Sequence, residues 1–183
     1  MRDHKSERIP VTPWHVPVAV EDIPEGGQSF TLEPDAETRA AIAALAGLRD
    51  LPQLAATFDL TRQGTGGLRV VGQLSATAGQ TCVVTLEPVA NEVAEDVDLL
   101  FAPQASVAES GGAAIRPEGS KYDVEPLIGE VVDLGALATE FLVLGLDPYP
   151  RKPGAVFESP EETAAGDGPF SALAALQKGR DAD

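Results

Sequence analysis

Leu54-Ala55-Ala56-Thr57-Phe58-Asp59-Leu60-Thr61-Arg62 is followed by Gln63-Gly64-Thr65-Gly66-Gly67 and then by Leu68-Arg69-Val70-Val71-Gly72-Gln73-Leu74-Ser75-Ala76. Leu54, Ala56, Phe58 and Leu60 occupy every second position, as do Leu68, Val70, Gly72, Leu74 and Ala76. Side chains of a strand point alternately to its two faces, so each run presents one apolar face. Two such runs around a glycine-rich turn predict a β-hairpin with one buried side. The glycines also invite a phosphate-loop reading. Gly64-Thr65-Gly66-Gly67 lacks the following Lys-Ser/Thr and a helix start, so the hairpin turn is preferred.

The same alternation continues downstream. Val89, Asn91, Val93, Glu95, Val97, Leu99 and Phe101 share one face while acidic residues fill the other, which predicts a long antiparallel strand with one wet side. Asn91 and Glu95 fall on the apolar side, so one end of this strand is expected to be exposed or bulged. Upstream, His15–Val20 and Gln28–Leu32 read as short strands around the turn Pro24-Glu25-Gly26-Gly27. Pro34-Asp35-Ala36-Glu37 predicts a helix start, because proline suits the first turn and acidic groups complement the helix dipole. Ala41, Ile42, Leu45 and Leu48 form its apolar stripe, and Gly47 is expected to end it in a left-handed cap. Order returns over Tyr122–Ile128. Val131-Val132-Asp133-Leu134 then leads into a buried helix of about three turns carrying Leu137, Ala138, Phe141, Leu142 and Leu144.

These elements predict an α+β fold, an antiparallel β-sheet, open or barrel-like, packed by two or more helices. Residues 1–13 read as a flexible lead-in, and 14–158 as a single domain interrupted by a mobile loop at 103–120 that is rich in Ala, Ser, Gly and Pro. Residues 159–183 read as an acidic mobile tail. Within it Phe170, Leu173 and Leu176 recur at helical spacing behind Pro169, a short amphipathic helix near 169–178 suited to docking on a partner.

Charge narrows the functional classes. The 183 residues carry 13 Lys and Arg against 29 Asp and Glu, a formal net charge of −16. Nucleic acid is a polyanion and is normally bound by a clustered basic face. Here the cations are scattered, with Arg151-Lys152 the only adjacent pair. A simple phosphate-tracking groove is disfavoured, and the charge reads first as a solvated, self-repelling surface. For direct RNA contact the local candidates are Arg62 and Arg69, on opposite hairpin arms and expected to share a face. Arg151 and Lys152 would add to them.

Chemistry-bearing residues are few. The histidines are His4 and His15, the lone cysteine is Cys82, and nothing around Cys82 resembles a nucleophile signature. Cys82 reads as a small buried hydrophobe, and Trp14 and Tyr149 as core or core-edge residues. A single thiol excludes an intramolecular disulfide and a four-thiolate zinc site. The expectation is a non-enzyme with no cofactor and no metal. No apolar run approaches the ~20 residues that span a bilayer, and Arg2–Arg8 precedes no signal-type stretch, so a cytoplasmic protein with no membrane partner is expected.

The order of these features completes the reading. The hairpin is followed by Cys82-Val83-Val84-Thr85-Leu86-Glu87-Pro88-Val89, a long acidic strand, a low-complexity loop and Asp133–Leu144. Asp147-Pro148-Tyr149-Pro150 and Pro169–Leu176 close the series. This order resembles the YceD family, the large ribosomal RNA subunit accumulation proteins, over roughly Val16 to Leu176. Where that family reads Cys-x-x-Cys-Leu-Glu-Pro, Cys82, Leu86, Glu87 and Pro88 match and Thr85 replaces the second cysteine. The family's further cysteine pair has no counterpart near Tyr149–Gly154. The likeness is to an alphaproteobacterial-like branch lacking most family cysteines, and it implies a metal site lost and replaced by packing. It also implies a non-catalytic ribosome-biogenesis factor in a bacterial cytoplasm, supporting accumulation or maturation of large-subunit ribosomal RNA. The partner is then that RNA, a ribosomal protein or an assembly factor. The alternative is an acidic adaptor for a basic ribosomal protein or assembly factor, without RNA contact.

Overall fold

The computed structural model describes residues 12–64, 66–103 and 123–157. In chain order the elements are β1 (Pro17–Ala19), a 3-10 turn (Val20–Asp22), β2 (Gln28–Leu32), α1 (Ala36–Leu45), β3 (Asp50–Gln63) and β4 (Gly67–Thr81). They continue with β5 (Pro88–Pro103), β6 (Asp123–Leu127), β7 (Val131–Asp133) and α2 (Leu134–Gly145). The chain divides into two units, Met1–Pro153 and Gly154–Asp183, and of the second only 154–157 are described. Of the loop expected at 103–120, Pro103 instead ends β5, and the rest, with most of the lead-in and the tail segment with Phe170, Leu173 and Leu176, lies outside the described residues.

The hairpin forms as the alternation requires. Ala56 pairs with Leu74, Phe58 with Gly72 and Leu60 with Val70, and all but Gly72 are buried. Gly72 is a close-approach position: a Cβ there would lie 2.1 Å from the Thr57 carbonyl and 2.6 Å from Phe58 Cδ1. The Phe58 side chain fills the space that glycine leaves. β5 adds Val93, Val97 and Leu99 to the same buried side.

The fold is α+β with five strands in the order β2-β3-β4-β5-β6, an open sheet rather than a barrel. Two details correct the sequence reading, and a third decides an alternative it left open, in favour of an exposed rather than a bulged strand end. β6 pairs with β5 in parallel, from Leu99↔Asp123 to Pro103↔Leu127, so the sheet is mixed. β1 does not join it but forms a separate antiparallel pair with β7. The reason lies at Asp133, whose Oδ1 accepts from Val16 N at 2.9 Å, while Leu134 N donates to the Val16 carbonyl at 3.0 Å. These bonds fasten β1 to the start of α2. The β4–β5 ladder is also unbroken from Leu68↔Phe101 to Thr81↔Pro88, and the register shift lies between Asp50 and Gln53 on β3. No bulge is needed at Asn91 because its amide donates to Gln80 Oε1 at 2.6 Å, and Gln80 Nε2 donates to the Asp147 carbonyl at 2.9 Å. Glu95 lies beside Gly145, where a Cβ would meet its Oε1 at 2.6 Å.

Both α-helices among the described residues are capped by aspartates. Asp35 accepts from Thr38 N at 2.7 Å, and Asp133 Oδ1 accepts from Gly135 N and Ala136 N at 3.1 Å each. Burial pushes the Asp133 carboxyl up, but the Val16 and Ala136 N–H groups and His15 outweigh it and hold the group below its usual range. α1 packs on β3 through Ile42 and Ala43, and Gly47 takes the left-handed φ of 67° that its cap role predicts. Leu45, expected in the buried stripe, is half exposed at the helix end, and Leu144 is likewise exposed at the end of α2. α2 crosses β4 and β5 with Leu134, Leu137, Ala138 and Leu142 buried. Thr139 is buried too, its hydroxyl donating to the Gly135 carbonyl at 2.8 Å.

Candidate functional site

Between Thr81, the last residue of β4, and Pro88, the first of β5, the chain must reverse in six residues. Cys82 N donates to the Glu87 carbonyl and Leu86 N to the Cys82 carbonyl, both at 2.9 Å. Leu86 is held at φ 61°, a left-handed conformation costly for a branched side chain. A second segment closes over the loop, with Val83 N donating to the Pro150 carbonyl at 2.9 Å. The Cys82 thiol is fully buried where they meet and accepts two backbone N–H groups, Lys152 at 3.3 Å and Thr85 at 3.4 Å. Lys152 Nζ then bonds Glu87 Oε2 at 3.0 Å.

The electrostatics follow from those donors. Donation to sulfur favours the thiolate, so the Lys152 N–H first, then Thr85, draws the Cys82 thiol from an ordinary 9.0 down to about 6, against the opposing effect of burial. Lys152 similarly holds the Glu87 carboxyl below its usual range.

A zinc ion does not fit this donor set. Only one thiol is present, the second cysteine position carries Thr85, and the nearby carboxylate is already bound by the Lys152 ammonium, a cation where a metal would need a ligand. Among the described residues no three His, Cys, Asp or Glu side chains are grouped to hold a metal ion.

The structure separates the basic residues proposed for RNA. Arg62 pairs with Leu68, whereas Arg69 pairs with Thr61, so the two arginines point to opposite faces of the hairpin. Arg62 donates to the Glu21 carbonyl, and Arg69 forms a two-pronged ion pair with Asp98 at 3.1 and 3.0 Å. The expected shared face is therefore not formed. Parity along each arm already carried the signal. Arg62 continues the phase of the buried Phe58 and Leu60, whereas Arg69 falls between the buried Leu68 and Val70.

Arg151 and Lys152 sit at the Cys82 corner, Arg151 exposed and Lys152 paired with Glu87. Trp14 is buried as expected, whereas Tyr149 is exposed. What the sequence reading missed is the role of the 150–152 backbone, which closes the Cys82 loop from about 70 residues away.

Fold and corner together define a small α+β protein whose β4–β5 loop is built around one buried thiol that accepts two amide hydrogens. The family model described as large ribosomal RNA subunit accumulation protein YceD matches residues 70–177, and the chain belongs to this family. The match takes in both segments of the Cys82 corner and is shorter than the likeness read from sequence, since it leaves out β1 to β3. No curated protein and no solved structure matches the chain. No helix among the described residues is long and apolar enough to cross a membrane.

Proposed function

We propose that this chain is a non-catalytic factor that supports the accumulation of large-subunit ribosomal RNA in a bacterial cytoplasm. The observation that carries the reading is its membership of a family described by that role. The chemistry of the Cys82 corner agrees with it: the thiol is buried and engaged by two amides. Depleting the protein in its own host and measuring the ratio of large- to small-subunit ribosomal RNA tests this. The ratio falls and a plasmid-borne copy restores it. An unchanged ratio overturns the reading.

A second observation favours action through a protein partner. Arg62 and Arg69 lie on opposite faces, and Arg69 and Lys152 already pair with Asp98 and Glu87. The cations that would track phosphates are thus divided and partly neutralised. Co-purification at two salt concentrations, with and without ribonuclease, distinguishes the routes. A protein route survives ribonuclease treatment.

A further inference from the structure

We propose that the outer face of the five-stranded sheet is a docking surface for a lysine- and arginine-rich segment of another protein, an inference that rests on the protein-partner reading above. The face is defined by the register. Asp59, Val71 and Asp98 form one cross-strand row of β3, β4 and β5, and Thr57, Gln73 and Asp96 form the next. Ala55, Ser75 and Ala94 follow, and then Gln53, Thr77 and Glu92. All these side chains lie opposite the buried set and are exposed or half-exposed. With about 3.4 Å per residue and about 4.8 Å between strands, the surface measures about 20 Å by about 10 Å, enough for one helix or one extended segment.

Its charge and relief point to one kind of occupant. These rows carry four carboxylates, Asp59, Glu92, Asp96 and Asp98, and no cation; Arg69, one row further along, pairs with Asp98. Among the described residues no ion pair engages Asp59, Glu92 or Asp96; Asp59 and Glu92 accept from the hydroxyls of Ser29 and Thr77. The row of small residues leaves the middle low. One cleft of about 300 Å³ runs over Ala55, Ser75, Ala94 and Asp96, and another of about 330 Å³ over Gln53, Thr77 and Glu92. Glu33 and Arg39 also border the second cleft, with the Arg39 guanidinium donating to the Pro34 carbonyl at 2.7 Å. A lysine or arginine fits that relief, its apolar stem on the alanines and its charged end at the carboxylates on the rim. RNA would bring phosphates against carboxylates, and a second copy of this face would set acid against acid.

Titration of fluorescein-labelled decalysine against the full chain at about 0.15 M salt, where charges more than about 8 Å away are largely screened, tests the surface. The triple variant Asp59→Asn/Glu92→Gln/Asp96→Asn retains every side-chain shape and leaves the Arg69–Asp98 pair intact. It binds about tenfold more weakly than the wild type, the combined effect of three exposed ion pairs. Glu25→Gln/Glu130→Gln/Glu140→Gln, at positions outside these rows and both clefts, removes the same charge and changes affinity less than about twofold. Equal weakening in both variants overturns the proposal, because only net charge would then matter. Binding of decauridylate that the first variant abolishes also overturns it. Thermal melting confirms that both variants fold. Expression of each in depleted cells separates this proposal from the functional reading. If the wild type restores the ribosomal RNA ratio and the face variant does so equally well, the docking surface is wrong and the function stands. If depletion leaves the ratio unchanged, the function is wrong and the decalysine result still decides the surface.

Discussion

The inner and outer faces of the sheet are built from the same three long strands, yet they obey different constraints. Inside, Phe58, Leu60, Val70, Leu74 and Val97 are almost wholly buried, and Gly72 is glycine because Phe58 occupies the space beside it. Outside, Thr57, Gln73 and Asp96 alternate with those residues along the same backbone and face solvent. Burial of apolar area is the main stabilising contribution, so the inner positions hold the fold. Outer side chains contribute little to stability, which leaves their chemistry open to selection by a partner. The Cys82 thiol lies between these extremes: buried like the inner face, but held by hydrogen bonds within a loop otherwise exposed or half-exposed.

This contrast can be broken or sharpened by substitution. The largest effect is expected at Phe58→Ala, which removes a buried ring and destabilises the fold by about 3–5 kcal/mol in denaturant unfolding. Gly72→Ala should cost about 1–3 kcal/mol by overpacking against the Thr57 carbonyl and the Phe58 ring. Asp133→Ala removes the α2 cap and the anchor of β1, with an expected loss of about 1–2 kcal/mol, whereas Asp133→Asn should retain much of the cap. At the outer face, Thr57→Ala should change stability by no more than about 0.5 kcal/mol. A larger loss there would show that the outer face also carries the fold.

The Cys82 corner adds a pH signature. Its thiol is drawn down to about 6 in the folded protein from an ordinary 9.0, so between these values the unfolded chain binds the proton more tightly. The stabilisation is complete above about pH 9, declines as the pH falls through this window and is absent below about 6. Wild-type stability should therefore contain an upward component from about pH 6 to 9 that Cys82→Ala lacks. Parallel pH profiles of the two proteins would contradict the hydrogen-bonded thiolate.

How much of this was legible in the sequence depends on how local each feature is. The hairpin and the long acidic strand are written in period-2 patterns that need no distant partner, and Gly47 and Asp35 mark the ends of α1 within a few residues. The pairing of β1 with β7 depends on Asp133 meeting Val16 across 117 residues, which no local pattern encodes. The direction of β6 is likewise a matter of topology rather than of its own side chains. The separation of Arg62 and Arg69 is different, because one step of register reverses the face of a strand residue and the apolar phase on each arm showed the two out of step. The corner's closure by Pro150 and Lys152 uses backbone groups, which every residue possesses, so side-chain identity gave no sign of it.

In-cell cross-linking, with recovery of both RNA and protein attached to this chain, tests the central claim most directly. The expected result is cross-links from partner lysines to the carboxylates of β3 and β5, Asp59, Glu92 and Asp96, and none from RNA to Arg62, Arg69, Arg151 or Lys152. RNA attached at those basic residues, with no protein attached at the acidic face, would contradict it.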